Sequence, residues 1–156
     1  MHIIKRGLIL LSLLVLGCSS STEKPVGTEP LAITTQVAVS AMVNPDINNR
    51  ASPIVVRIYE LQSLGKYTES DFSELFEHYE SVLGAELIRS EQYHLNPGEK
   101  RILKEDLAAG TQFIAVVAAY RDLNQAIWRD ATVIPVDKTT KLFVFVDKLG
   151  ISIWKK

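Results

Sequence analysis

From residue 31 onward, apolar positions recur in short runs cut by polar clusters, the pattern of a chain built mostly from strands. Residues 31–43 alternate loosely and are rich in β-branched side chains, and "IVVRIYEL" (54–61) reads as a strong strand. Between them "NPDINNRASP" (44–53) is a polar, turn-rich loop. Short strands are predicted around 92–95 and 100–103, joined by "NPGE" (96–99), whose Pro97 and Gly98 suit the central positions of a type II turn. "QFIAVVAAY" (112–120) is the most apolar strand, and three more follow around 131–136, 141–147 and 151–154, with "DKLG" as the last hairpin turn. The period changes once. Phe72, Leu75, Phe76, Tyr79, Val82 and Leu83 share one helical face, with Ser70 and Asp71 able to cap its start and Gly84 its end.

One detail constrains how these elements stack. In 113–120 both alternating sets are apolar, Phe113, Ala115, Val117, Ala119 and Ile114, Val116, Ala118, Tyr120, and 142–146 has the same two-sided character. A strand buried on both faces needs a cover on each. In a two-sheet sandwich the inner face meets the other sheet, so the amphipathic helix must cover an outer face, where the alanines permit close approach. The expected fold is mainly β: a two-sheet β-sandwich of seven or eight strands with one amphipathic helix packed on an outer face.

The N-terminus follows different rules. Lys5 and Arg6 precede an apolar stretch, residues 7–16, broken only by Ser12 and followed by Gly17, which reads as a secretory signal. It falls short of the ~20 residues that a membrane-spanning helix needs. Val15-Leu16-Gly17-Cys18 resembles the bacterial lipobox, in which a small residue precedes a cysteine that becomes the acylated mature N-terminus. Cys18 is the only cysteine of the chain; an exported thiol with no pairing partner is a liability, which disfavours an ordinary free cysteine. Ser19 follows it rather than the aspartate that marks inner-membrane retention, so the expected address is the periplasmic face of the outer membrane of a Gram-negative bacterium. Residues 19–30, "SSSTEKPVGTEP", lack large apolar groups and read as a flexible tether. The expected organisation is a lipoprotein signal at 1–17, a lipidated tether at 18–30 and one sandwich domain at 31–156.

Composition narrows the chemistry. The chain has 156 residues with a formal net charge of -1, and its charges are scattered, which removes the electrostatic case for a nucleic-acid partner. His2 falls in the leader, His94 is isolated beside a turn, and His78 lies among Glu74, Glu77 and Glu80 on a helix face that reads as solvated. No converging set of ligands suggests a metal, no thiol or histidine pair suggests a nucleophile, and no glycine-rich loop suggests a phosphate. The expectation is a non-enzyme without cofactor, metal or small-molecule substrate. Two rivals stand beside it: an outer-membrane lipoprotein binding a small ligand or polysaccharide, on an aromatic platform for which Trp128 and Trp154 are the candidates, and a cell-wall enzyme, for which no carboxylate is singled out.

Two polar concentrations are candidates for function. "AYRDLNQAIWRD" (119–130) leaves the most buried strand and gathers Arg121, Asp122, Trp128 and Arg129. The favoured reading is a structural clamp, an arginine paired with a carboxylate and stacked on an aromatic ring; the other is an exposed Trp/Arg hot spot for a partner. The loop at 44–52 reads on its own as a polar connection in which Asn44-Pro45-Asp46 turns the chain.

"NPDINNRASPIVVRIYEL", a helix running into "VLGAELI", then "NPGE", then "VVAAYRDLNQAIWR" form an ordered set. That set resembles the TssJ (VasD/SciN-like) lipoproteins of the type VI secretion system. The resemblance implies a transthyretin-like sandwich with an added helical segment, anchored to the outer membrane through Cys18. It also implies a partner, the periplasmic C-terminal region of the inner-membrane component TssM, contacted through the loop between the first two strands. Carried onto this chain, the contact residues are Asn44, Pro45, Asp46, Ile47, Asn48, Asn49 and Arg50, with Asp46, Asn48, Asn49 and Arg50 available for polar contacts.

Overall fold

The computed structural model describes residues 32–135 and 139–156; the leader, Cys18 and the tether lie outside the described residues. Among the described residues there are eight strands: β1 (Ala32–Val39), β2 (Ile54–Leu61), β3 (Leu87–Leu95), β4 (Lys100–Asp106), β5 (Phe113–Ala118), β6 (Arg129–Val133), β7 (Thr140–Val146) and β8 (Ile151–Lys155). They form two four-stranded sheets, β4-β1-β7-β8 and β3-β2-β5-β6. Every pairing is antiparallel except β1 with β7, which run parallel. The β-branched, alternating segments predicted as strands are strands, and 54–61 matches to the residue.

The sheets face each other over a core to which β1 contributes Ile33, Val37 and Val39, β7 contributes Leu142, Val144 and Val146, and β5 contributes Ile114, Val116 and Ala118. The other side of β5 is buried as well: Ala115 and Val117 join Tyr59, Leu61, Tyr67, Leu75 and Leu83 in a second cluster beneath the helices. The two-sided apolar pattern of β5 therefore reports what it was expected to report, a sheet on one side and helical cover on the other.

That cover is three short helices rather than one: α1 (Gly65–Glu69), α2 (Phe72–Glu77) and α3 (Tyr79–Leu83), followed by a 3-10 turn at Gly84–Glu86. The break lies at His78, whose backbone (φ -119, ψ 18) leaves the helical region while the apolar stripe continues through it. Asp71 opens α2 with a reciprocal capping box: it accepts from the Glu74 N–H at 2.9 Å, and Glu74 accepts from the Asp71 N–H at 2.9 Å. Gly84 ends α3 at φ +51, a left-handed conformation that side chains with a Cβ resist.

Two arginines from the sheet hold the helices by their carbonyl ends, where cations are favoured. Arg129 donates to the carbonyls of Tyr67 (2.8 Å), Thr68 (3.0 Å) and Ser70 (2.7 Å) at the end of α1. Arg57 donates to the carbonyl of Phe76 at 3.0 Å and stacks 4.1 Å from the Tyr79 ring.

One further sequence expectation is corrected. The 142–146 segment is covered on one face only: Leu142, Val144 and Val146 are buried, while Phe145 is exposed and Phe143 half-buried on the outer face. Among the described residues no helix lies there, so its two-sided pattern does not signal two covers. The "NPGE" turn does form, with Gly98 at φ +76 and the Glu99 N–H donating to the Asn96 carbonyl at 3.1 Å. It joins β3 to β4 as expected, and because these two strands belong to different sheets it bridges the sandwich.

Candidate functional site

The β1–β2 loop emerges at one end of the sandwich, and Asn44 fixes its base. Asn44 is buried, adopts the left-handed conformation at φ +48, and connects three neighbouring segments. Its Nδ2 donates to the Pro53 carbonyl (3.0 Å), its Oδ1 accepts from the Arg121 N–H (2.8 Å), and its own N–H donates to the Lys148 carbonyl (3.1 Å). Asparagine is suited to this place because its short amide tolerates positive φ and offers both a donor and an acceptor.

The head of the loop is closed by Asp46. Its carboxylate accepts from the N–H groups of Asn48 (2.8 Å) and Arg50 (2.9 Å) and pairs with the Arg50 guanidinium at 2.8 Å. The Arg50 backbone and guanidinium together hold the Asp46 carboxyl below the ordinary aspartate range. The result is a compact turn, with Asn49 at φ +57, that pushes Ile47 outward until it is 97% exposed.

The seven residues assigned to the contact surface thus do different things. Asn44 is internal and supports the base; Asp46 and Arg50 satisfy each other; Ile47, Asn48 and Asn49 are presented to solvent and Pro45 is half-buried. The polar contacts expected from Asp46 and Arg50 are taken up inside the loop.

Beside the loop lies an open groove of ≈ 530 Å³ lined by Ile47, Arg121, Asp122, Gln125 and Lys148 among others. This divides the four residues read as one clamp. Arg121 and Asp122 border the loop, where Asp122 accepts from the Gln125 N–H at 3.3 Å. Arg129 and Trp128 serve the helices: the guanidinium lies 4.8 Å over the Trp128 ring, and that ring meets Phe72 edge-on at 5.5 Å. The arginine–carboxylate pair proposed there is not formed, because the free helix carbonyls occupy Arg129 instead. Gln125, Lys148 and Leu149 border the site without any local sequence signal, since only the folded chain brings the 121–126 and 147–150 turns alongside 44–50.

A second polar cluster occupies the opposite end of the sandwich, between the sheets. Buried Glu60 accepts from Arg89, from the Ala108 N–H (2.9 Å) and from the Thr111 hydroxyl (2.7 Å). The Tyr93 hydroxyl lies 2.6 Å from Glu91 and 3.0 Å from Glu105. Burial pushes the Glu105 carboxyl up, and the neighbouring Glu91 and Glu60 charges add to the rise. The space between these groups is ≈ 20 Å³, room for about one water. Every buried polar side-chain atom among the described residues has a partner, so the cluster closes the end of the core. Also among the described residues, no group of three or more His, Cys, Asp or Glu could hold a metal ion.

A family model described as type VI secretion lipoprotein, VasD, EvfM, TssJ matches residues 31–149. Among solved structures, the type VI secretion lipoprotein TssJ1 of Pseudomonas aeruginosa is similar, with a TM-score of 0.79 and 29% identity over 81% of this chain and 97% of that one. Serratia marcescens Lip, a membrane-bound component of the type VI secretion system, has a TM-score of 0.73 and 25% identity over 81% of this chain and 98% of that one. A structure described as the TssM C-terminal domain from EAEC has a TM-score of 0.64 at 19% identity, over 79% of this chain and 97% of that one, a likeness of fold alone. No protein of curated function matches the sequence. With the family match spanning the sandwich from β1 to the β7–β8 turn, the chain belongs to the type VI secretion lipoprotein family.

Proposed function

We propose that the chain is an outer-membrane lipoprotein, acylated at Cys18, that holds the type VI trans-envelope complex by binding the periplasmic C-terminal region of TssM through the β1–β2 loop. The observation that carries this reading is the pairing of a fixed base with an unpartnered apolar tip: Asn44 is locked into the fold while Ile47 is 97% exposed three residues later. An isoleucine held out on a pre-closed turn has little entropy left to lose on docking, which favours a contact over a mere connection. The groove beside it offers Arg121 and Lys148 for polar rim contacts. Nothing is transformed in this role; the domain is a rigid link between lipid and protein.

The test is titration of the mature chain against the periplasmic C-terminal region of TssM. Ile47→Ser should weaken binding roughly 30-fold, as for a central apolar anchor worth about 2 kcal/mol, with an unchanged melting temperature. Unaltered affinity in Ile47→Ser would refute the loop contact. Cys18→Ser should leave binding intact and abolish secretion; normal secretion by that variant would refute the anchor.

A further inference from the structure

The outer face of the β4-β1-β7-β8 sheet is the largest feature that the proposed role leaves unused. The strand registers line its outward side chains into rows. One row is Ile102, Gln36, Phe143 and Trp154; the next, toward the end where Ala32 begins β1, is Lys104, Thr34, Lys141 and Lys156. On the other side stand Lys100, Ala38, Phe145 and Ser152. Ile102 is 62% exposed and Trp154 46%, with the indole stacked on Phe143 at 5.8 Å, and the row borders a groove of ≈ 440 Å³.

We infer that this face rests on the anionic surface of the membrane to which the chain is tethered. An aromatic and aliphatic centre flanked by lysines is the composition of an interfacial lipid contact: indole and phenyl rings partition to the headgroup level, and each lysine near an anionic leaflet adds attraction. The four lysines, Lys100, Lys104, Lys141 and Lys156, form no ion pair among the described residues, and within these strands the one outward carboxylate is Asp106, opposite Ala32 and one row beyond Lys104. A glycan would need several carboxylate or amide acceptors for its hydroxyls, and these strands offer outward only Gln36 and Asp106, with the hydroxyls of Thr34 and Ser152.

The place where the chain leaves the fold points the same way. This step rests on acylation at Cys18. Only residues 18–31 separate the proposed anchor from Ala32, on the lysine side of this very sheet, and a random coil of that many residues would span on the order of 20 Å. The membrane is thereby presented to the face at high effective concentration, so that even a weak intrinsic affinity keeps the face seated. The contact sets the orientation of the sandwich, and with it the direction in which the β1–β2 loop projects.

Vesicles of phosphatidylethanolamine and phosphatidylglycerol carrying bromine on the upper acyl chain read the contact directly. With the acylated mature chain, Trp154 emission should be quenched while Trp128, packed under Phe72, is spared; Trp154→Phe should abolish the quenching. The acyl-free mature chain should bind these vesicles weakly and phosphatidylcholine vesicles less, and Lys104→Glu with Lys141→Glu should weaken binding roughly tenfold or more. Several results would each overturn the inference: unquenched Trp154 in the acylated chain, equal binding to neutral vesicles, Trp154-dependent dimerisation, or Trp154-dependent pelleting with insoluble cell-wall glycan. A membrane-extracted chain whose mass shows no acyl groups overturns the anchor instead, while the vesicle experiment with the acyl-free chain still decides the face.

Discussion

The backbone N–H of Arg121 donates a 2.8 Å hydrogen bond to Oδ1 of Asn44, joining two segments 77 positions apart in sequence. It links the candidate loop with the turn that leaves the most buried strand, and it makes the rigidity of the first depend on the second.

Asn44→Ala should therefore destabilise the domain by about 2–3 kcal/mol, since a buried donor and acceptor are lost and an alanine is forced to positive φ. Asn44→Gly should recover about 1 kcal/mol of that, the backbone share. Urea unfolding of the three chains measures both steps, and an alanine variant within about 0.5 kcal/mol of the parent would contradict the role given to this side chain.

Arg129 makes a separate prediction. Replacing it with Met keeps much of the stem packing on Trp128 but frees three helix carbonyls. The expected cost is about 2–3 kcal/mol, with hydrogen exchange accelerating first across 65–77, because α1 and α2 lose their attachment to the sheet. Uniform acceleration over both sheets would point to a global effect instead.

Glu105 predicts a pH dependence. Its folded pKa is raised above the ordinary 4.5, chiefly by burial, so the native state holds the proton more tightly than the unfolded chain does. Unfolding then releases a proton, and this group's contribution to stability falls as pH rises from 4.5 through the folded value, staying at its lowest above it. Glu105→Gln removes that penalty. Its melting temperature relative to the parent should rise with pH over this window and level off above it; a constant difference would show that Glu105 is not the group responsible.

Asp46 behaves with the opposite sign. The Arg50 contacts lower its pKa below 3.8, so its support for the closed turn is complete above 3.8 and is lost only as pH falls through the lower folded value. Affinity for the TssM region should not vary between neutral and mildly acidic pH on its account. Asp46→Ala should weaken binding less than Ile47→Ser, through an entropic term visible in calorimetry, because the turn opens while its apolar tip survives. An equal loss with unchanged entropy would assign Asp46 a direct contact.

Much of this was legible in the residues. "IVVRIYEL" and the Asp71–Glu74 capping box carry their geometry in local chemistry, and the double apolar register of β5 predicts a layer on each side. What stayed hidden depends on distant parts. Phe143 and Phe145 look like core because apolar character does not say whether a cover exists. The His78 break leaves the apolar stripe unchanged, so the residue pattern does not mark it. At the loop, the residues alone read as a polar connection and only the family resemblance offered Asp46 and Arg50 to a partner; the fold turns these two toward each other and leaves Ile47 exposed.

The place of β1 in its sheet has a mechanical consequence. In the proposed role the anchor is joined to the fold at Ala32, and the candidate loop leaves the other end of the same strand, which is bonded to β4 on one edge and to β7 on the other. Tension between anchor and loop would then enter and leave through this single strand without crossing a ladder. Neither set of interstrand bonds has to slip or peel to carry it. The load falls on covalent bonds, and the sheet keeps the strand straight.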